Sequence, residues 1–254
     1  MKKYHPIQLN GNIEYQEVQP CDVLKNKIAC FWQINSRRSN FDYLVIPDGC
    51  VDIIINCSNK EEIYLSPTLI KPDSFALQKN ETWFGIRFYP AIAPCLFNIH
   101  ISELKHNTID LKDINKKWGN LLTEQLYKAD NFIERTKQAN LFFLKKQLFD
   151  IKNPDYRLAE MINNIYESNG NIRVEKKGSI NLTPRHIRRL FHQYIGIPPK
   201  KFSRIVRSQN FLRELKMDNN TNSLYDTYFD QAHMIREIKE MTGFTPTQLV
   251  RIFE

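Results

Sequence analysis

Apolar and polar positions follow two different periods along this chain. Up to about residue 100 they come in short runs rich in β-branched and aromatic residues: Ile28 to Ile34, Tyr43 to Ile46, Val51 to Asn56, Ile63 to Leu65 and Trp83 to Tyr89. Runs of that length and composition predict strands. Pro47, Asp48 and Gly49 stand between the second and third runs, a turn signal that predicts a hairpin. Short strands so spaced predict a small β-sandwich or barrel. Beyond them the period lengthens to that of a helix. Trp118 to Phe149 reads as helix broken near Asp130, where Asn131 followed by Glu134 is a start signal. Leu122, Leu126, Ile133, Leu141, Leu144 and Leu148 read as one apolar stripe, packed within the chain rather than against a second copy. Asn153 and Pro154 mark a boundary, after which Leu158, Met161, Ile162 and Ile165 begin a helix closed by Gly170. The fold class is therefore α+β. A β-rich N-terminal domain, sandwich or barrel-like, takes 1–100, a helical connector 101–153, and an all-α C-terminal domain 154–254.

Within that last domain, 183–195 carry the sharpest pattern. Thr183 is a good N-cap, Pro184 suits the first helical position, and Gly196 can take the left-handed conformation that ends a helix. Ile187, Leu190, Phe191 and Tyr194 share one face, leaving Arg185, Arg188, Arg189 and His192 on the other. Such cations suit phosphate oxygens or the acceptor edge of guanine. A further helix follows through Ile205, Val206, Leu212 and Leu215, ending near Lys216. Charge concentrates here: 171–216 hold twelve lysines and arginines against two acids, an excess larger than the whole chain's net +8. A basic surface of that size attracts a polyanion, of which nucleic acid is the commonest.

The stretch RHIRRLFHQYIGIPPKKFSRIVR, Arg185 to Arg207, resembles the first helix-turn-helix module of AraC/XylS-type transcription regulators, and FDQAHMIREIKEMTGFTPTQL, Phe229 to Leu249, resembles the second. Asp230, Gln231, His233, Arg236, Lys239, Gly243, Thr245 and Pro246 stand at the positions of that module's signature. Together the two cover about residues 155 to 254. ACFWQI, LVIPDGCVDIIIN and GIRFYP also resemble the β-rich N-terminal domain of one branch of these regulators, over about residues 10 to 100. The resemblance implies duplex DNA as partner. Arg185, Arg188, Arg189 and His192 would face the groove, with Thr183 and His186 beside them. Lys200, Lys201 and Arg204 would lie near phosphates, and Gln231, His233 and Arg236 would add contacts from the second module. For the N-terminal domain it implies a small-molecule effector or a homodimer.

Two stretches depart from the family pattern. Between Lys216 and Asp230 only MDNNTNSLYDTYF is available for a linker end, a positioning helix and a turn, so the second module is expected to be truncated and the first complete. In the first module, VEKKGSIN from Val174 to Asn181 contains Gly178, which costs about 1 kcal/mol of helix stability relative to alanine, and its positioning helix is expected to be short. Residues 217–254 are net negative, with three cations against six acids. These departures support a rival reading: a degenerate member acting as an effector-binding or protein-interaction protein that no longer reads DNA by sequence.

Composition bounds the remaining options. The chain has 254 residues, 42% hydrophobic and 25% charged, as expected of globular domains. No apolar run approaches the roughly 20 residues that span a bilayer, so no membrane association is expected. MKKYHPIQLN lacks the apolar stretch of a secretory signal, which makes the cytoplasm the expected compartment. Five cysteines without a C-x-x-C pair argue for buried thiols rather than disulfides or a zinc ribbon. Cys50, or Asp48 with Asp52, could be imagined as catalytic, but no base is visible near them, and a buried thiol at a hairpin is the preferred reading. No catalytic residue, metal site or cofactor is therefore expected.

Overall fold

The computed structural model describes residues 4–9, 14–59, 61–104, 107–151, 154–171, 182–217 and 230–253. Strands come first: β1 (Glu14–Val18), β2 (Ile28–Asn35), β3 (Phe41–Val45), β4 (Val51–Asn56), β5 (Ile63–Ser66), β6 (Asp73–Leu77), β7 (Thr82–Phe88) and, after the short helix α1 (Ile92–Phe97), β8 (Ile109–Asp110). Helices follow: α2 (Leu111–Tyr127), α3 (Phe132–Lys145), α4 (Tyr156–Glu167), α5 (Pro184–Tyr194), α6 (Pro199–Met217), α7 (Gln231–Thr242) and α8 (Pro246–Phe253). Each of the five apolar runs is a strand. The sequence reading missed β1 and β6 because both are polar and mostly exposed, so neither shows the alternation of a half-buried strand.

Six strands form one antiparallel sheet in the order β1-β2-β7-β4-β5-β8, and β3 pairs with β6 as a separate ribbon. The two faces of the sheet are covered differently. Phe31, Ile53, Ile55, Phe84, Ile86 and Phe88 pack with Leu122, Leu126, Phe142 and Phe143 of α2 and α3. On the other face, Trp32, Ile34, Ile54 and Trp83 pack with Tyr43 and Leu77 of the ribbon. Helices α2 and α3 thus cover one face of the sheet.

Two sequence expectations are corrected here. The first is the hairpin at Pro47–Gly49. β3 pairs with β6 whereas β4 pairs with β5 and β7, so these residues carry the chain from one sheet to the other. The backbone groups a hairpin would use have other partners: the Gln8 amide accepts from Ile46 N and donates to Ile46 O, and Gln209 Nε2 donates to Pro47 O. The second is the single apolar stripe. Leu122, Leu126 and Leu148 are buried, but Ile133 is 79% and Leu141 41% exposed. Asn131 caps α3 by accepting from Glu134 N, and this new start resets the helical phase. The buried face of α3 is Arg135, Ala139, Phe142 and Phe143.

The C-terminal helices share their cores with the N-terminal part. Leu158, Met161 and Ile165 of α4, Ile187, Leu190 and Phe191 of α5 and Phe202, Ile205 and Val206 of α6 pack with Tyr4, Cys50 and Ala91. Phe211, Leu212 and Leu215 of α6 pack with Met234, Ile238 and Leu249 and also with Leu9 and Ile46. Residues 4–9 run between the two parts: Tyr4 Oη donates to Asp48 O at 2.6 Å, its ring stacks on Tyr166 at 4.4 Å, and Gln209 bonds both Ile7 N and Ile7 O. The regions expected to hold shortened positioning helices, 174–181 and 218–229, lie outside the described residues. No described helix is long and apolar enough to cross a membrane.

Candidate nucleic-acid interface

Local chemistry sets both ends of α5. Thr183 Oγ1 accepts from His186 N at 3.3 Å, Pro184 occupies the first turn, and Gly196, at φ +85°, donates to Phe191 O and His192 O. Between these ends Ile187, Leu190 and Phe191 are buried, and Tyr194 is half-buried, so the outer face falls to Arg185, Arg188, Arg189 and His192, all exposed. Arg189 Nη2 lies 3.2 Å from His186 Nε2 across one turn. Phe191 meets Phe202 at 5.9 Å, which fixes α5 against α6. The result is a helix with its apolar side packed and its cations on the exposed face.

Helix α7 is built alike. Asp230 Oδ1 accepts from His233 N at 2.7 Å as the N-cap, Met234, Ile238 and Met241 are buried, and Gly243 ends the helix at φ +82°. Gln231 and Arg236 are exposed and His233 is half-buried. Arg236 Nε donates back to Ala232 O at 3.2 Å. The Thr-Pro turn starts α8 through a reciprocal cap, Thr245 N donating to Gln248 Oε1 at 2.8 Å and Gln248 N to Thr245 Oγ1 at 3.4 Å.

The cations expected near phosphates divide. Lys200 is exposed, but Lys201 and Arg204 point at α7. Lys201 Nζ donates to Glu240 Oε1 at 2.8 Å, and Arg204 bonds Glu240 through Nη2 at 2.6 Å and Glu237 through Nε at 2.8 Å. Arg207 adds two bonds to Glu237, each 2.7 Å. Glu237 is only 2% exposed, and hydrogen bonds from Arg204 and then Lys201 hold the Glu240 carboxyl down at about 2. The sequence places Lys201 and Arg204 near phosphates and counts Glu237 and Glu240 toward a net negative second module; the structure pairs them, with Arg207, in one clamp between α6 and α7. The signal was present. Lys201, Arg204 and Arg207 recur every three residues on one helix, and Glu237 and Glu240 do so on the next.

Asp48, Cys50 and Asp52 lie apart from these helices' outer faces, around Arg87. Arg87, 3% exposed, sits between Asp52, at 3.1 Å from Nη2, and Asp48, at 3.2 Å from Nε. Burial raises the Asp52 carboxyl to about 6, and burial with nearby Asp48 keeps the Cys50 thiol well above its usual value and so protonated. Cys50 is a buried thiol, though not in a hairpin.

Two family models match this chain. Residues 16–110 match one described as a domain of unknown function (DUF6597), and residues 178–252 one described as a helix-turn-helix domain. No curated protein matches. Among solved structures, the chain is similar to ToxT from Vibrio cholerae in its P21 form, at 12% identity over 96% of this chain and 98% of that one, with a TM-score of 0.41. ToxT from Vibrio cholerae O395 gives 11% identity, the same shares and a TM-score of 0.42. A structure of that protein bound to (E)-4-(8-methylnaphthalen-1-yl)but-3-enoic acid gives 11% identity over 96% of this chain and 100% of that one, with a TM-score of 0.41. Residues 178–252, which hold α5 to α8, thus carry a helix-turn-helix domain.

Proposed function

We propose that the protein reads duplex DNA by sequence, with α5 lying in the major groove and α7 as a weaker second reader. Arg185, Arg188, Arg189 and His192 face base edges and the adjoining backbone, Thr183 and His186 stand at the helix entry, and Lys200 contacts phosphate. Gln231, His233 and Arg236 serve the second module, glutamine being suited to adenine and arginine to guanine or phosphate. Lys201 and Arg204 act through α7, by holding it, rather than as phosphate ligands. The N-terminal domain serves as the sensing or dimerising part. The observation that carries this reading is the outward arginine row on a helix whose opposite face buries Ile187, Leu190 and Phe191.

The rival reading, an interaction protein that has lost base recognition, rests on the expected truncation of the second module, at residues outside those described, and on that module's acidity. Three of that module's acids have structural work: Asp230 caps α7, and Glu237 and Glu240 bind α6. The charges of Glu237 and Glu240 are balanced by Lys201, Arg204 and Arg207. The test is equilibrium binding to genomic duplexes and to random duplexes over a range of salt. Regulation by sequence requires some duplexes to bind about 1,000-fold or more tighter than random ones. Equal, salt-labile binding to all of them would leave the interaction reading in place.

A further inference from the structure

Along β2, the face turned toward α3 changes character. Phe31 lies in the apolar core, but the next residues on the same face are Gln33 and Asn35, both buried. Polar residues on a core-facing register need a reason. Here they form a chain: Arg135 Nη1 donates to Gln33 Oε1 at 2.9 Å, Gln33 Nε2 to Asn35 Oδ1 at 3.3 Å, and Asn35 Nδ2 to Glu14 Oε2 at 3.4 Å. Arg135 itself is only 8% exposed. Its neighbours are neutral, Gln33 and the Cys57 thiol, its Nε has no acceptor, and no carboxylate pairs with it among the described residues. The other buried arginine, Arg87, has Asp48 and Asp52. A buried guanidinium without a counter-charge is costly, which calls for an anion.

The space for one adjoins it. An open cavity of about 630 Å³ is lined by Tyr15, Gln33, Asn35, Phe132, Ile133 and Arg135, among others. A smaller one of about 450 Å³, lined by Gln16, Glu17, Val18, Phe132, Ile133 and Thr136, extends it along β1. These volumes fall in the range of small-molecule sites. The apolar wall is exposed, Ile133 at 79%. The capped N-terminus of α3 adds its partial positive charge at the mouth.

We propose that this cavity binds a small organic monoanion, a carboxylate on an aryl or alkyl body, with the carboxylate against Arg135 and the body on Phe132 and Ile133. Charge selects the monoanion. Glu14 and Asp130 also line the cavity, and Arg37 is already held by Glu14 at 3.2 Å, so one unpaired guanidinium faces the ligand and a dianion such as phosphate would be repelled. The proposal takes its regulatory meaning from the N-terminal domain being a sensor, but binding here needs no DNA.

The full chain, free of DNA, is titrated calorimetrically with 4-phenylbutyrate, 4-phenylbutyramide and inorganic phosphate, and photolabelled with 4-benzoylbenzoate. The acid is expected to bind once per chain, the amide at least about tenfold more weakly, and phosphate not to compete. Label should fall within 14–18 or 130–136. Arg135→Gln should weaken the acid at least about tenfold; because that residue is buried, Ile133→Asp at an exposed position is the second variant, expected to do the same with an unchanged melting temperature. No binding of either aryl acid, equal binding of the amide, competition by phosphate, label elsewhere, or undiminished binding by Ile133→Asp would each overturn the site. A protein that binds the acid but reads no DNA keeps the site and loses only its regulatory meaning.

Discussion

Arg189 stands at the middle of the exposed row of α5, one turn from His186 and backed by buried Leu190 and Phe191. A side chain so placed is expected to carry discrimination. Arg189→Ala should cost about 1 to 3 kcal/mol on the preferred duplex and much less on random ones; equal losses on both would remove its assigned role. Lys200 is expected to behave differently, since a phosphate contact has no sequence content: Lys200→Ala should lower affinity alike for all duplexes and reduce the salt slope by about one. Its neighbour Lys201 looks identical in sequence but is bound to Glu240. What separates these lysines is the face of α6 each occupies, and only the position of α7 gives that face a meaning.

Helix α5 was fully legible because its information is local. The cap at Thr183, the stop at Gly196 and the apolar face all lie within fourteen consecutive residues, 183–196. Helix α3 was misread for the opposite reason: Asn131 restarts the phase, and a stripe counted through the break placed Ile133 and Leu141 inside. The docking of α7 was illegible because it depends on pairs about 30 to 40 residues apart, such as Arg207 with Glu237. That clamp has a pH signature. The Glu240 carboxyl is held at about 2 against an ordinary 4.5, so its contribution is complete above the ordinary value and fades as pH falls toward the lower one. Glu240→Gln should therefore be less stable than the parent chain to urea at about pH 6, with the difference shrinking below the ordinary value and vanishing only as pH falls to about 2. A gap that stays constant over that range would contradict the clamp. Glu237→Ala removes a buried acceptor of two arginines and is expected to cost about 1 to 3 kcal/mol, seen as faster hydrogen exchange along α7.

The two parts of the molecule meet where sequence reading expected a hairpin. Residues 46–50 pack on the helix-turn-helix side through Phe202 and Gln209, with residues 4–9 wedged beside them. Gly49 has φ +79°, and a Cβ there would lie 2.6 Å from the Phe202 ring. Gly49→Ala is expected to destabilise the fold by at least about 1 to 2 kcal/mol from the backbone alone, and to loosen α6 as judged by hydrogen exchange. This junction explains how a β-rich domain could influence α5 and α7, since α6 supports both and also carries Gln209. Base reading by α5 is tested directly by selection of genomic fragments by the purified chain at about 150 mM salt, where phosphate attraction is weakened. Enrichment of one short motif by the parent chain, lost with Arg189→Ala, is the expected result. No enrichment, or the same motif enriched by both proteins, would contradict it.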